Sequence, residues 1–154
     1  MGKYGELARG LFLEGYNCAQ AVAGAFADKM GLPLPLTVRM VSAYGGGIGR
    51  LRETCGAVSG MTFVIGTLYG YDSPKAAVEK KELYILTQRL VGEFREVNGS
   101  LLCRELLGIT SPDRNPAPEK RTPEYYRKRP CPDLIEEAAD IIGAYIEERE
   151  GCID

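Results

Sequence analysis

Four cysteines, at positions 18, 55, 103 and 131, suggest the chemistry of this sequence before any other residue type does. The chain of 154 residues contains no histidine, so the commonest general base and the commonest metal ligand of proteins are both absent. A cysteine thiolate is a nucleophile, a group that can be oxidised and a metal ligand. We therefore predict that any catalytic, redox or metal-binding chemistry is carried by Cys18, Cys55, Cys103 and Cys131.

Each of these cysteines falls where the pattern predicts the start of a helix. N-cap residues or a proline mark the four starts: Asn17 before Cys18, Thr54 before Cys55, Ser100 three residues before Cys103, and Pro132 after Cys131. A helix N-terminus presents unpaired N–H groups and about half a positive charge, which lowers the pKa of a cysteine placed there. We expect four thiolates that converge on Cys55.

Glycines surround Cys55 and make this part of the chain unusually small in side-chain volume. Gly56 and Gly60 follow it within the predicted helix, where each glycine costs about 1 kcal/mol relative to alanine. Two reasons could offset that cost: close packing of a second helix, or room beside the Cys55 sulfur for another cysteine, a cluster or a substrate. Gly56 and Gly60 are therefore candidate cofactor-binding residues.

Before Cys55 lies a glycine-rich segment, 45–49, followed by two arginines, Arg50 and Arg52. No Gly-Lys-Ser or Gly-Lys-Thr follows the glycines, so we expect a tight turn and no nucleotide. Free N–H groups of the turn, together with the two guanidinium groups, could bind an anion beside a thiolate. Arg50 and Arg52 are the second pair of candidate cofactor-binding residues.

The pattern predicts an all-α fold, a small multi-helix bundle in a single domain over residues 1–154, with one long irregular loop over about 108–130 before the C-terminal helix. Predicted helices cover 4–14, 18–30, 36–43, 55–69, 73–97, 100–107 and 132–150, with an extended link at 32–35. The basic part of the loop, Arg114 to Arg129, is either a docking surface or a solvated loop.

Composition excludes several classes of function. The net charge of −2 gives no reason to expect nucleic acid as a partner, and the longest apolar stretch, 61–71, is too short to span a membrane. No signal peptide is evident, so we expect a cytoplasmic protein with reduced thiols. Cys152 lies past the last predicted helix and is interpreted as incidental or as a labile surface thiol.

The order and context of the four cysteines resemble the C_GCAxxG_C_C family of redox-active proteins. Its lone first cysteine matches Cys18, its glycine motif matches Cys55 in the segment 55–60 (CGAVSG), and its two later cysteines match Cys103 and Cys131. The resemblance covers about residues 7–146 and implies a small helical protein, often encoded near transporter genes. A dihaem cytochrome with a similar segment implies an iron–sulfur cluster, but the chain has no CxxCH, so no haem is expected.

Three functions remain open at this point. The first is a thiolate-ligated iron–sulfur cluster or zinc site on the four cysteines. The second is a thiol–disulfide redox protein with one or two dithiol pairs, whose redox partner the sequence does not identify. The third is a non-catalytic accessory module, associated with a transporter system. Apolar faces on the glycine-rich and C-terminal helices are compatible with a homodimer.

Overall fold

The structure is a computed structural model that describes residues 2–111 and 114–151. Within these residues the chain is all α-helical, as the sequence predicts, and contains ten α-helices and no strand. They are α1 (Lys3–Leu13), α2 (Cys18–Ala25), α3 (Ala27–Met30), α4 (Leu34–Met40), α5 (Gly45–Ile48), α6 (Gly56–Tyr69), α7 (Ala77–Asn98), α8 (Cys103–Leu106), α9 (Pro123–Lys128) and α10 (Cys131–Gly151). The interpretation of Cys152 lies outside the described residues.

The core forms where α1, α2, α6 and α10 pack against one another, with the C-terminal half of α7 laid across α6 and α10. The predicted apolar stripe of α10 is buried there, including Ile135 and Ile142 at 0% exposure. Large fully buried side chains from the other helices complete this core: Phe12, Phe26, Met61, Ile65, Leu90 and Phe94. Burial of this apolar surface is the main favourable term that holds the bundle together.

Small residues let α2 and α6 approach closely. A Cβ built on Gly60 would lie 2.9 Å from Cβ of Val22 and 3.0 Å from the carbonyl oxygen of Ala19, and one on Gly56 would lie 3.0 Å from Cβ of Cys18. Neither position has room for a methyl group without a shift of α2. The close-packing explanation of these two glycines is therefore confirmed, and it places the start of α6 against the start of α2.

Several predicted boundaries are wrong, and local hydrogen bonds explain two of them. The helix predicted over 73–97 begins only at Ala77, because Ser73 Oγ accepts from the N–H of Lys75 at 3.2 Å and closes a turn instead. The helix predicted from Ser100 begins at Cys103, because Ser100 Oγ accepts from the N–H of Leu102 at 3.0 Å. In both cases a serine that suggested an N-cap stabilises a turn before the helix.

Three other corrections concern helix continuity. The helix predicted over 18–30 is interrupted at Phe26, whose ψ of 9° ends α2 before α3 begins. The helix predicted over 36–43 begins at Leu34, since Pro35 fits the first turn of α4. The long loop predicted over 108–130 contains a full short helix, α9, which Thr122 caps by accepting from the N–H of Tyr125.

None of the helices within 2–111 and 114–151 is both long enough and apolar enough to cross a membrane. The predictions of a single domain, a cytoplasmic location, a homodimer and a transporter partner stay predictions.

Candidate functional site: a cavity lined by four cysteines

The four cysteines lie at helix starts and meet at one cavity. Cys18, Cys103 and Cys131 are the first residues of α2, α8 and α10, and Cys55 is the N-cap of α6. All four line a single cavity of about 410 Å³, and all four are free thiols. Cys55, Cys103 and Cys131 are buried at 5, 7 and 8% exposure, and Cys18 is half-buried. The predicted convergence on Cys55 is thus present in the fold.

A short antiparallel bridge brings Cys55 and Cys103 together. Thr54 pairs with Leu102, and the backbone N–H of Cys55 donates to the carbonyl of Leu101 at 2.8 Å. On the other side of the bridge, the N–H of Cys103 donates to the carbonyl of Glu53 at 2.7 Å. Because these bonds fix both backbones, the two cysteines are held in place by the main chain and not by a disulfide.

Cys18 is positioned by a capping box at the start of α2. Asn17 Oδ1 accepts from the N–H of Gln20 at 2.9 Å, and Gln20 Oε1 accepts from the N–H of Asn17 at 3.0 Å. Asn17 also donates to the carbonyl of Ser42 at 2.9 Å, which ties the helix start to the chain before the glycine turn. The start of α6 packs against Cys18 at Gly56, where a Cβ would lie 3.0 Å from Cβ of Cys18.

The glycine-rich segment, which includes α5, is a tight turn as predicted and not a regular helix, because Gly46 and Gly47 have non-helical backbone angles. Left-handed backbone runs through most of it: Gly46 (φ 68°), Gly47 (69°), Ile48 (68°), Gly49 (54°), Arg50 (68°) and Arg52 (62°). Each residue other than glycine in this conformation costs about 1–2 kcal/mol. A Cβ on Gly47 would lie 2.6 Å from Cβ of Cys103, so this turn is pressed directly against the cysteine. Sequence reasoning missed Gly47 as an individual residue, although the run of three glycines was the available signal.

The left-handed turn aims Arg52 at the site. Its side chain lines the cavity, is 9% exposed, and places Nη1 3.6 Å from Cys103 Sγ. Arg50 also borders the cavity, but its guanidinium donates to the carbonyls of Asn115 and of Ala117, the latter at 2.7 Å. The predicted arginine pair therefore divides into one residue that faces the thiols and one that holds the loop.

The N–H groups at the end of the turn are already used within the chain, so of the N–H groups expected to bind an anion, that of Gly49 is not free. Those of residues 49–53 all donate to backbone carbonyls, including Arg52 to Gly46 at 3.2 Å and Glu53 to Gly47 at 2.9 Å. The carbonyls that a left-handed turn exposes take up these donors locally. An anion at this site would therefore not be bound by the N–H groups of residues 49–53.

Cys18 and Cys131 interact with each other, and the pKa values of their thiols are shifted in opposite directions. The hydrogen bond to Cys131 and burial raise the pKa of Cys18 well above its usual value. The same hydrogen bond, helped by the guanidinium groups of Arg129, Arg52 and Arg121 against the cost of burial, lowers the pKa of Cys131. Cys131 is therefore the favoured thiolate, and Cys18 is the proton donor to it.

Burial overturns the expectation of four thiolates. Desolvation raises the pKa of Cys55 to about 12, although the N–H groups of Ala57 and Val58 favour its ionised form. Desolvation also raises the pKa of Cys103, which the Arg52 guanidinium offsets only in part. Helix N-termini lower the pKa of a thiol, as predicted. At Cys18, Cys55 and Cys103, however, the loss of water and the neighbouring thiols raise the pKa by more.

The segment 114–130 folds over the cavity and supplies part of its wall. Arg121 donates to the carbonyls of Phe12 at 2.6 Å and Tyr16 at 2.7 Å, and its guanidinium lies 4.0 Å from the centre of the Phe12 ring. Arg129 pairs with Glu119 within the segment. Residues of this segment that line the cavity are Pro116, Pro118, Glu119, Arg121, Tyr125 and Arg129. We call residues 114–130 the cover. Sequence reasoning left this segment as either a solvated loop or a docking surface, because nothing local shows what it folds against.

The cysteines do not form a ready metal site as they are arranged. Within the described part of the chain, no three Cys, Asp or Glu side chains are grouped closely enough to hold a metal ion. The predicted metal-binding role of Cys18, Cys55, Cys103 and Cys131 stays a prediction. Gly60 lies in the α2–α6 interface and Gly56 lines the cavity, so of these two only Gly56 borders the space where a ligand could bind.

An all-α domain with four cysteines at helix starts around one cavity matches one known family. The family model described as "Putative redox-active protein (C_GCAxxG_C_C)" matches residues 16–145, so the chain belongs to this family. The match spans all four cavity cysteines. No curated protein and no solved structure matches the chain.

Proposed function

We propose that this protein is a thiol–disulfide redox protein in which Cys131 and Cys18 form the reacting dithiol pair. The observation that carries the proposal is that Cys18 and Cys131 border the same cavity with Arg52, Arg121 and Arg129, and that their interaction shifts the pKa values of the two thiols in opposite directions. Thiol–disulfide exchange needs one thiolate that attacks and one neighbouring thiol that resolves the intermediate. The different proton affinities of the two sulfurs suit these two roles.

The reaction would proceed in two displacements. The Cys131 thiolate attacks one sulfur of a substrate disulfide, the S–S bond of the substrate breaks, and its other half leaves as a thiolate that takes up a proton. The Cys18 thiol then loses its proton and attacks the Cys131 sulfur, which forms the Cys18–Cys131 disulfide and releases the second half of the substrate as a thiol. Two electrons and the Cys18 proton pass from the protein to the substrate, and the second proton comes from the solvent.

The pKa of Cys18 supports this order of events. Its rise is due first to the hydrogen bond with Cys131 and in part to the charge on that sulfur. Once the Cys131 sulfur is bonded covalently to the substrate, it carries no charge and no longer accepts that proton. The Cys18 thiol then ionises more readily, at the stage when it must attack.

The test is to oxidise the reduced protein mildly with diamide and to map disulfides by mass spectrometry of its peptides. We expect a reversible Cys18–Cys131 disulfide, together with alkylation of Cys131 by iodoacetamide at a pH where Cys55 is not modified. Cys18→Ala should raise the pKa of Cys131 measured by alkylation, because the donor to its sulfur is lost, whereas Cys55→Ala should shift it less. Absence of a reversible Cys18–Cys131 disulfide would refute the proposal.

A thiolate-ligated iron–sulfur or zinc centre is the second candidate, supported by the convergence of four cysteines on one cavity in a chain without histidine. A bound cluster would supply one-electron transfer. The present spacing of the thiols does not fit a metal ion, which is why the dithiol is preferred. Iron, zinc and acid-labile sulfide analysis of protein isolated without oxygen distinguishes the candidates, since stoichiometric metal would favour the second.

A further inference from the structure

Positive charge exceeds negative charge around the cysteine cavity. Four guanidinium groups line it, from Arg50, Arg52, Arg121 and Arg129, against one carboxylate, that of Glu119. Glu119 already accepts from Arg129 and lies 3.7 Å from Arg50. Even with Cys131 as a thiolate, the lining keeps an excess of positive charge that nothing in it neutralises.

Of these four arginines, Arg52 has the fewest partners for its charge. It is more than nine-tenths buried, and none of the carboxylates in residues 2–111 and 114–151 forms an ion pair with it. Its side-chain contact is Cys103 Sγ at 3.6 Å, and Cys103 keeps its proton at neutral pH because burial outweighs the arginine. The Cys131 thiolate is near enough to interact with Arg52 by charge, but no carboxylate of the described residues forms an ion pair with this buried guanidinium. A buried charge that is incompletely paired is unfavourable, so the site is suited to an anion that comes from outside the chain.

The cover restricts what that anion can be attached to. Arg50 and Arg121 tie it to the rest of the fold by hydrogen bonds to backbone carbonyls on both sides of the cavity. A loop of a folded substrate protein would have to displace these contacts to reach Cys131. A cavity of about 410 Å³ is in the range of small-molecule sites, which is about 300–1,000 Å³.

We propose that the cavity is a binding site for a small anionic molecule whose acidic group is bound by Arg52, and that the substrate of the dithiol is therefore a low-molecular-weight disulfide bearing carboxylate or similar acidic groups. The second part rests on the proposed thiol–disulfide function. The first part does not, because binding of an anion needs no electron transfer.

The redox test compares three small disulfides of similar length as oxidants of the reduced protein: dithiodipropionate (dianionic), bis(2-hydroxyethyl) disulfide (neutral) and cystamine (dicationic). We expect dithiodipropionate to react at least about tenfold faster than cystamine, since a charge-assisted hydrogen bond in a buried site contributes a factor of this order. Arg52→Gln should reduce this preference several-fold and Arg52→Lys should retain it. Arg39→Gln removes the same charge from an exposed position in α4 and should leave the preference unchanged.

The binding test uses suberate, the dianion in which two methylene groups replace the two sulfurs of dithiodipropionate. Calorimetry should detect suberate binding to the reduced protein, and Arg52→Gln should weaken it about tenfold or more, while Arg39→Gln does not. Suberate should also slow the alkylation of Cys131, since it would occupy the same cavity.

The outcomes separate the two proposals. If all three disulfides form the Cys18–Cys131 bond at rates that do not depend on their charge, and suberate does not bind, the anion site is refuted and the dithiol function stands. If suberate binds through Arg52 but no oxidant forms the disulfide, the dithiol function is refuted and the anion site stands. Faster oxidation by a protein disulfide such as insulin than by dithiodipropionate would overturn the assignment of a small-molecule substrate.

Discussion

At the scale of single residues, the pKa of each cysteine in this site depends on two opposing effects. Burial removes water from the thiolate and raises the pKa, whereas nearby N–H groups stabilise the thiolate and lower it. A cysteine at a helix start gains from the N–H groups of the first turn, as Cys55 does from Ala57 and Val58. The same cysteine loses the hydration of its thiolate when the helix start is buried under other elements. At Cys55 the second effect is larger, whereas at Cys131 the hydrogen bond from Cys18 and the nearby arginines reverse the balance.

The raised pKa of Cys55 makes a prediction about stability at alkaline pH. The thiol titrates near its ordinary value of 9.0 in the unfolded chain and at about 12 in the folded one. Its contribution to stability is therefore complete below pH 9.0 and is lost as pH rises towards 12. From about pH 7.5 to about pH 10 we expect Cys55 alone to lower the free energy of unfolding by about 1.4 kcal/mol, which urea unfolding at both pH values measures.

The matched variants are Cys55→Ala and Val58→Ala. Both remove buried side-chain volume near the start of α6, at sites that are 5 and 3% exposed, so both should lower stability at neutral pH. Only Cys55→Ala should make the loss of stability between the two pH values smaller. Equal losses in Cys55→Ala and in the unmodified protein would contradict the prediction.

At the scale of elements, the fold relies on the close approach of α2 and α6. Their contact places Cys18 beside the N-cap of α6, and it depends on glycines where a methyl group would meet backbone atoms. Pairs of helices with such small contact residues lose stability when one residue is enlarged, because neither backbone can relax without moving its own core.

Gly60→Ala should destabilise the protein by roughly 1–3 kcal/mol, since its Cβ would lie 2.9 Å from Cβ of Val22 and 3.0 Å from the Ala19 carbonyl. Gly66 is the matched control in the same helix, because a Cβ there would meet nothing within 4 Å. Gly66→Ala should be neutral or stabilising by up to about 1 kcal/mol, as expected for glycine replaced in a helix interior. Thermal and urea unfolding of both variants decide the point, and a loss of stability in Gly66→Ala equal to that in Gly60→Ala would refute it.

The sequence predicts those features that depend on residues close together in the chain, and fails where the outcome depends on distant packing. Asn17 marks the start of α2 correctly because its capping box involves residues only three positions apart. Ser73 and Ser100 suggest helix starts wrongly, because the same hydroxyl that can cap a helix can also close a turn, and the choice depends on what packs above it. The pairing of Cys18 with Cys131 is beyond sequence reasoning, since 113 positions separate these residues in the numbering and the chain has no motif that links them.

At the scale of the whole molecule, the bundle and the cover together make the site. The bundle brings four helix starts to one place, and the cover closes over them and adds arginines that the helices lack there. The site thus depends on a segment that contributes little to the core. This segment is held in place by hydrogen bonds from arginine side chains to backbone carbonyls, which take the place of core packing. Elements held in this way open more readily than a packed core does.

Arg121 is the residue on which attachment of the cover depends most directly, and its fork-shaped guanidinium reaches two carbonyls that a lysine cannot reach together. Arg121→Lys keeps the charge beside Cys131 but should loosen the cover, so hydrogen exchange over 114–130 and alkylation of Cys131 should both accelerate about tenfold. Alkylation is compared at a pH above the titration of Cys131, so that only access to the sulfur differs. Arg127→Lys, at an exposed position in α9, is the matched control and should leave both rates unchanged. If Arg121→Lys exchanges and alkylates no faster than Arg127→Lys, the cover is not what limits access to the cysteines.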